Sequence, residues 1–392
     1  MHTFIKNLLN GQVVEWKSLG EIAKIQRGAS PRPISQYLTD DEENGIPWIK
    51  IGDIAVGEKY VNRTEQKITY EGSLKSRVLK KGDFIMSNSM SYGRPYILNI
   101  DGAIHDGWAS ISGFQEKLNS DFLYHYLSSN MVQSYWNGKI NSGSVSNLNS
   151  DIIKSLKIPI PPLSVQNQIV QILDTFTELT AELTAELTAE LSMRQKQYQY
   201  YRDFLLSEHE LAKVGFEWKS LDQISENLNP MRKPIKGGLR EFGNIPYYGA
   251  SGVVDYVKDY IFDDDLLLIS EDGANLLARN TPIAFSVSGK CWVNNHAHVL
   301  KFKTYEERRF VEFYLNHIDL NPYISGAAQP KLNKKNLNSI KIPIPPLSVQ
   351  SQIVAILDTF DTLVNSISDG LPKEIQLRQK QYEYYRELLL AF

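Results

Sequence analysis

The chain has a single cysteine, Cys291, so it can build neither an internal disulfide nor a cysteine-based zinc site. That usage suits a reducing compartment. No run of residues approaches the 18 or so uninterrupted apolar positions that a membrane-spanning helix needs. The opening Met1-His2-Thr3-Phe4-Ile5-Lys6-Asn7 lacks the basic-then-apolar order of a secretory signal. Neither sign of charge dominates, since 42 Lys and Arg face 45 Asp and Glu. A uniformly basic coat for nucleic acid is thereby excluded, although local basic surfaces are not. The 392 residues are 42% hydrophobic, enough to bury the cores of two or three domains. A soluble, cytoplasmic protein is expected.

Catalytic signatures are missing as well. No Gly-x-x-x-x-Gly-Lys-Ser/Thr phosphate loop occurs, and no Gly-x-Gly-x-x-Gly follows a strand-like run. The Asp/Asn-Pro-Pro-aromatic tetrapeptide of an amino-methyltransferase is absent. Its nearest approach, Asn321-Pro322-Tyr323-Ile324, lacks the second proline and the aromatic. Glu15-Trp16-Lys17 and Glu217-Trp218-Lys219 have the Glu-x-Lys spacing of a nuclease, but they recur as a pair with no Pro-Asp before them and read as structural. His296 and His298 alternate on a predicted strand and could share a face, yet no third metal ligand is visible nearby. Asp263-Asp264-Asp265 reads as an acidic turn, and Cys291 as a core thiol. No catalytic constellation, metal or cofactor is expected.

What the chain does contain is an internal repeat. Residues 155–176 (SLKIPIPPLSVQNQIVQILDTF) and 339–360 (SIKIPIPPLSVQSQIVAILDTF) agree at 19 of 22 positions at an offset of 184. The same offset relates RQKQYQYYRDFLLS (194–207) to RQKQYEYYRELLLA (378–391). A third echo pairs Val14-Glu15-Trp16-Lys17-Ser18-Leu19 with Phe216-Glu217-Trp218-Lys219-Ser220-Leu221. Between the echoes, at roughly 20–150 and 222–335, no match remains. The chain is a duplicated frame with two different inserts.

Each frame segment opens on a strip, Ile158-Pro159-Ile160-Pro161-Pro162 or Ile342-Pro343-Ile344-Pro345-Pro346, which must be extended because proline removes a donor and fixes its dihedral. Ser164 and Ser348 are then placed to cap a helix, followed by apolar residues at spacings of three and four. The stripe is Ile169, Ile172, Leu173, Phe176 and Leu179, repeated as Ile353, Ile356, Leu357, Phe360 and Leu363. The first helix carries Thr-Ala-Glu-Leu three times in tandem from Thr180 to Leu191, with no Gly or Pro in 163–207. A continuous helix from Gln166 to Leu206 would span about 60 Å. The second copy has Asp369-Gly370-Leu371-Pro372 and should break there. Two such helices could bury their stripes on each other, antiparallel, as a coiled coil.

Both inserts read as strands first and a helix late, which makes them α+β domains. In the first, strands are expected around Trp48–Ile51, Phe84–Met86 and Tyr96–Leu98, with a helix at 120–135. In the second they fall at Val253–Val257, Leu266–Ile269, Ile283–Val287 and His298–Phe302, with a helix at about 306–317. Basic residues cluster on four predicted loops, at 27–33, 87–94, 230–240 and 329–341. These mix Arg or Lys with hydroxyls, amides and glycine, the chemistry that contacts phosphates and base edges. A bare dimerisation coil would not explain two unlike inserts. A noncatalytic coiled-coil scaffold whose inserts bind proteins or glycans stays open, but gives no reason for basic loops at corresponding places.

The whole chain resembles the specificity subunit of type I restriction–modification enzymes, and the tandem Thr-Ala-Glu-Leu array with Arg-Gln-Lys-Gln-Tyr-x-Tyr-Tyr-Arg resembles the IC subgroup. The resemblance implies two target recognition domains, 1–154 and 211–338, a central conserved region at 155–210 and a C-terminal conserved region at 339–392. It implies an internal pseudo-twofold duplication, with residues 1–15 completing the C-terminal frame. It also implies a noncatalytic subunit that reads a split double-stranded DNA site and directs two modification subunits and, through them, restriction subunits. Loop position and this analogy select contact residues. In the first insert these are Arg27, Ser30, Arg32, Ser89, Tyr92, Arg94, Ser144 and Asn147. In the second they are Arg232, Lys233, Ser251, Asn275, Arg279, Gln329, Lys331 and Asn333.

Overall fold

A computed structural model describes residues 3–55, 57–88, 93–141, 147–326, 329–366 and 368–392. The chain divides into two compact units, the first made of residues 1–186 and 375–392 and the second of residues 187–374. Among the described residues no helix is long and apolar enough to cross a membrane.

The first unit begins with α1 (Thr3–Leu9), β1 (Glu15–Ser18), α2 (Leu19–Ile22) and β2 (Lys24–Arg27). Its insert continues through β3 (Leu38–Thr39), β4 (Ile46–Ile49), β5 (Tyr60–Val61), β6 (Gln66–Ile68), α3 (Tyr70–Leu74), β7 (Arg77–Leu79), β8 (Phe84–Ser87), β9 (Pro95–Leu98), β10 (Gly102–Ile104) and β11 (Trp108–Ser112). Helices α4 (Ser120–Leu127), α5 (Asn130–Asn141) and α6 (Ser150–Ser155) lead to β12 (Lys157–Ile160) and then to α7 (Leu163–Leu205). The strands form two five-stranded sheets, in the orders β2-β11-β8-β9-β5 and β3-β6-β4-β10-β7.

The second unit has α8 (Glu208–Val214), β13 (Glu217–Ser220), α9 (Leu221–Ile224), β14 (Glu226–Asn227), β15 (Phe242–Gly249), β16 (Gly252–Val257), β17 (Phe262–Asp263), β18 (Leu266–Ser270) and α10 (Asn275–Ala278). It continues with β19 (Ala284–Val287), β20 (Lys290–Val293), β21 (Ala297–Lys301), α11 (Tyr305–His317), α12 (Lys334–Ser339), β22 (Lys341–Ile344) and α13 (Leu347–Asn365). Helix α14 (Leu371–Leu390) follows and carries the chain back into the first unit. The sheets here run β14-β21-β18-β19 and β16-β15-β20-β17.

The unmatched inserts share one plan. In the first sheet of each, the strand before the late helix lies between the entry strand and an apolar central strand: β11 between β2 and β8, β21 between β14 and β18. In the second sheet a parallel pair recurs, β4 with β10 and β15 with β20. Both architectures are α+β. Periodicity located the strands well, but the helix expected over 120–135 is two helices. The Ser129 hydroxyl bonds the carbonyl of Tyr126 at 2.7 Å, and the Glu387 carboxylate takes the N–H of Asn130 at 2.7 Å. Both stop α4 and start α5.

The frame explains the third echo. Each proline strip pairs antiparallel with a Glu-Trp-Lys-Ser strand in the same register, Trp16 opposite Pro159 and Trp218 opposite Pro343. Proline offers no N–H, so each strip supports only a two-stranded ladder. Ser164 and Ser348 do not cap the helices. Both helices start one residue before the serine, and the carbonyls of Pro162 and Pro346 accept the first helical N–H groups. The tie back to the strip comes from the glutamine four residues into the helix. Gln166 Nε2 donates to the carbonyl of Pro161 at 2.8 Å, and Gln350 Nε2 to that of Pro345 at 2.9 Å. Gln166 also bonds the insert, through Lys117 O and Asn119 N, whereas the buried Oε1 of Gln350 has no partner among the described residues.

Of the stripe residues Ile169, Leu173, Ile353 and Leu357 are buried and Ile172, Phe176, Phe360 and Leu363 partly so, whereas Leu179 and Ile356 stay exposed. Leu173 and Leu357 are fully buried, each worth about 1.5–3 kcal/mol. In the first unit Phe176 packs on Tyr385 with ring centroids 5.6 Å apart, and Thr177 bonds Tyr382 at 2.9 Å. The offset of 184 turns the first contact into Phe360 on Tyr201, 5.4 Å apart in the second unit. Each copy's frame helix is thus completed by the other copy's Tyr-rich segment, running antiparallel to it. Ile5, Leu9, Leu389 and Leu390 all belong to the first unit's core. The break expected in the second copy lies between α13 and α14.

Inserts are also pinned to the frame by charge. Asp174 meets Lys59 Nζ at 3.2 Å and His125 Nε2 at 2.8 Å. Its counterpart Asp358 meets Arg309 at 2.6 Å and the Tyr305 hydroxyl at 2.8 Å. The second unit also buries His298, whose Nε2–H donates to Leu332 O at 2.6 Å while its Nδ1 accepts from Asn229 at 2.8 Å. Asn229 Oδ1 takes the N–H of Val299, which fixes its amide and makes His298 a neutral tautomer. Burial holds the imidazoles of His125 and His298 below their ordinary value, against the pull of Asp174 on one and of the Leu332 carbonyl and Glu271 on the other. Between the folded and unfolded values the unfolded chain binds more protons, so stability is complete above about pH 6.5 and falls as pH drops. Thermal unfolding should therefore occur at lower temperature at pH 5 than at pH 7.5. His298→Gln should lower the transition at pH 7.5 but lose less on acidification, and an unchanged pH difference would remove His298 from the account.

Candidate nucleic-acid interface

The common plan brings the same three segments together in each unit: the exit of the entry strand, the end of the apolar central strand, and the turn before β11 or β21. In the first unit Asp106 is the hub of that meeting. Ser30 Oγ donates to its carboxylate at 2.8 Å, His105 Nε2 lies at 3.0 Å and Arg32 at 3.5 Å. Arg27 Nε and Asn88 Nδ2 donate to the Asp106 carbonyl at 3.1 and 3.2 Å. Partial burial opposes ionisation, but the Ser30 hydroxyl, His105 and Arg27 hold the carboxyl below its usual value. Gly28 lets the two segments touch, because a Cβ there would sit 2.1 Å from His105 O. Asn88 O accepts the N–H of Leu148, which brings exposed Asn147 alongside. Arg32 keeps 83% of its side chain exposed, so its ion pair stabilises little and leaves the guanidinium available. Arg94 is exposed too. Ser89, Tyr92 and Ser144 lie outside the described residues.

In the second unit the hub is Glu271, just beyond β18. Arg232 reaches its carboxylate at 2.6 Å and Lys331 at 3.2 Å, and Arg232 also donates to Ala297 O at 2.7 Å. Burial raises the acid's affinity for its proton, but Arg232 and Lys331 hold the carboxyl below its usual value. Asp272 beside it holds His296 at 2.9 Å. Lys233 is exposed while its carbonyl takes the indole N–H of Trp292 at 2.6 Å. Ser251 lies exposed at the β15–β16 turn, whose Ala250 carbonyl accepts from Ser270. Gln329 is exposed next to Pro330, which accepts the Gly273 N–H.

Three of the expected contact residues have other attachments. The Asn333 side chain accepts the N–H of Asn336 at 2.9 Å and caps α12. Asn275 closes the following turn through Thr281, and Arg279 donates to Asn316 O at 3.4 Å, towards α11. Sequence reading missed both hubs, because it searched for basic stretches without acids. His105-Asp106 and Glu271-Asp272 follow strands, but nothing in one strand's sequence shows that another strand's arginine ends beside it.

The histidine pair is not a metal centre, since His296 is held by Asp272 and His298 by Asn229 and Leu332. Among the described residues no group of three or more His, Cys, Asp or Glu is placed to hold a metal ion. Burial pushes the Cys291 thiol up to about 12, which suits an inert core residue. Asp264 pairs with Lys301 and Asp265 lies 3.5 Å from Arg308, so the acidic turn serves the fold.

Comparison with known proteins agrees with this architecture. Residues 13–193 and 213–377 each match the family model described as the type I restriction modification DNA specificity domain. A Haemophilus influenzae protein described as a type I restriction enzyme specificity subunit is 34% identical over 418 residues, covering 100% of this chain and 98% of that one. An Escherichia coli type I restriction enzyme specificity subunit is 32% identical over 428 residues, covering 100% of this chain and 97% of its own. A chain from a structure of the type I R-M system shares the fold at 17% identity with a TM-score of 0.65, covering 97% of this chain and 98% of that one. Two matching domains on a duplicated frame, with relatives aligned from end to end, place this chain in the family of type I restriction–modification specificity subunits.

Proposed function

We propose that this chain is the noncatalytic DNA-reading subunit of a cytoplasmic type I restriction–modification complex, and that each insert, 1–154 and 211–338, is a target recognition domain for one half of a split duplex site. The observation that carries the reading is the recurrence of one loop constellation in two inserts without matching sequence. Each is built around an acid hub and displays Arg or Lys beside amides and hydroxyls. The frame is kept while the displayed chemistry differs, which is what two readers of different half-sites require.

Arg32, Arg94, Lys233 and Lys331 sample the four basic loops. Replacing a base-reading arginine with Ala should cost about 1–3 kcal/mol and relax one position. Loss of a phosphate-bound lysine should weaken all sequences alike and reduce the salt slope by about one. DNA affinity and its salt dependence, measured on the assembled complex, decide the matter. If all four changes left both untouched, the loops would not be the interface.

The partners follow from the duplication. Ser164, Gln168 and Thr175 are exposed on α7, and their equivalents Ser348, Gln352 and Thr359 are exposed on α13. These near-identical faces over 164–176 and 348–360 are proposed to dock two copies of one modification subunit, with restriction subunits joining through them. Native mass measurement should find two modification subunits per chain at saturation. A single copy would refute equivalent docking.

The Thr-Ala-Glu-Leu array is proposed as a ruler between the half-sites. Each unit adds about 6 Å of helix and about 40° beyond one turn. A DNA base pair advances about 3.4 Å and turns roughly 35°, so one unit matches about one base pair by rotation. Leu at every fourth position preserves the helix stripe as units are added or lost. Deleting Thr188–Leu191 should keep both half-site sequences and shorten the spacer by about one base pair. Methylation mapping reads the outcome directly, and a constant spacer or an altered half-site would end the ruler idea.

A further inference from the structure

The first unit has an open cleft of about 570 Å³ at the meeting of its two sheets, lined among others by Arg32, Ile34, Leu38, Trp48, Lys50 and Gln66. Trp48 and Gln66 sit directly opposite each other on β4 and β6, so their side chains share a face. Trp48 is almost wholly buried and, with Ile34 and partly exposed Leu38, makes an apolar wall. The half-buried Gln66 amide has no hydrogen-bond partner among the described residues and lines the open cleft, which leaves both its donor and its acceptor available. Asp106, also on the rim, is already matched by Ser30, His105 and Arg32. Lys50 has only a loose ion pair with exposed Glu65 at 3.7 Å.

The second unit shows what this place looks like when filled. His105 N donates to Ile49 O just as Asn294 N donates to Tyr248 O, which aligns Trp48 with Tyr247. Tyr247 is opposite Asp255 on β16, so Asp255 is the counterpart of Gln66. There Arg240 stacks on Tyr247, 4.4 Å from the ring, and pairs with Asp255 at 3.0 Å. One position on a common plan thus carries a self-satisfied Arg–Asp pair in one insert and an amide open to the cleft in the other.

We propose that Gln66 reads an adenine of the half-site bound by the first unit, its amide donating to N7 and accepting from the N6 amino group, with the apolar wall receiving the 5-methyl of the paired thymine. A side-chain amide matches the N7 acceptor and the N6 donor on adenine's major-groove edge at once. Arg32 and Lys50 supply the positive rim that a phosphate-flanked edge requires. This inference rests on the DNA-reading function proposed above and goes further by naming the residue and its base.

The test is selection of duplexes from a randomised pool by the complex of this chain with its modification subunit. Gln66→Ala should relax a single A·T position in one half-site, lowering discrimination there by about 5- to 150-fold, and leave the other half-site unchanged. Gln66→Glu should move that position towards C·G, since a carboxylate accepts from the cytosine amino group. Lys67→Ala is the control for folding, because Lys67 is next on the strand and reaches Glu42 instead of the cleft. The selected sequence should not change with it. If both Gln66 variants select the wild-type sequence while Arg32→Ala or Lys233→Ala weakens binding, the assignment of Gln66 is overturned and the DNA-reading function stands. Relaxation at a G·C position also overturns it. If the wild-type complex selects no sequence at all, both readings fall.

Discussion

The structure depends on one apolar stripe that must be covered from two sides. Ile169 and Leu173, and again Ile353 and Leu357, enter the core beneath their own insert. Phe176 and Phe360 instead meet tyrosines from the other copy of the repeat. No copy of the frame can satisfy its helix alone. Half of a duplicated chain would therefore expose an aromatic edge, and the duplication is a packing requirement as much as a doubling of function. This also accounts for the conservation within the chain: 19 of 22 residues over the strip and helix are held, while the inserts share none of their pattern.

An insert attaches to this frame through few obligations. Asp174 and Asp358 are equivalent acids, yet one is met by Lys59 and His125 and the other by Arg309 and Tyr305. What is preserved is a hydrogen-bonded cation opposite a fixed carboxylate, not a particular residue. Gln166 and Gln350 make the same point by contrast. Both tie the helix to its proline strip, but only Gln166 finds insert backbone to satisfy the rest of its amide. A frame that asks so little leaves the loop residues at the far strand ends free to vary.

Much of this was legible in the sequence, for identifiable reasons. The repeat, the long first helix, the break near Gly370 and Pro372 in the second copy and the proline strips rest on local rules, and the structure follows them. Strands such as Phe84–Ser87 and Leu266–Ser270 were visible because they are apolar up to their closing serine. The failures are nonlocal or a matter of one residue. Ser164 has the composition of a cap, but Pro162, two residues earlier, already supplies the accepting carbonyl. The division of 120–135 into two helices depends on Glu387, more than 250 residues away. The acid hubs were hidden because Asp106 gains its meaning from Ser30 and Arg32, and Glu271 from Arg232 and Lys331, all brought by other loops. The cleft around Gln66 was invisible for the same reason, since it needs the β4–β6 register to set the amide beside Trp48.

Residues 375–392 belong to the first unit although 187–374 make the second. On a ribosome the order of completion is therefore inverted. The second unit has all its residues in hand while the first still lacks Leu389, Leu390 and Phe392, whose ring packs on Phe122 at 6.0 Å. Until residues 378–390 have been made, the stripe around Leu173 and Phe176 has no tyrosine segment to cover it, and the start of α5 has no Glu387 to take its free N–H groups. The nascent chain must carry that exposed aromatic and leucine surface for the time needed to make nearly half its length. A chaperone, or a partner already docked on α7, would find its substrate there.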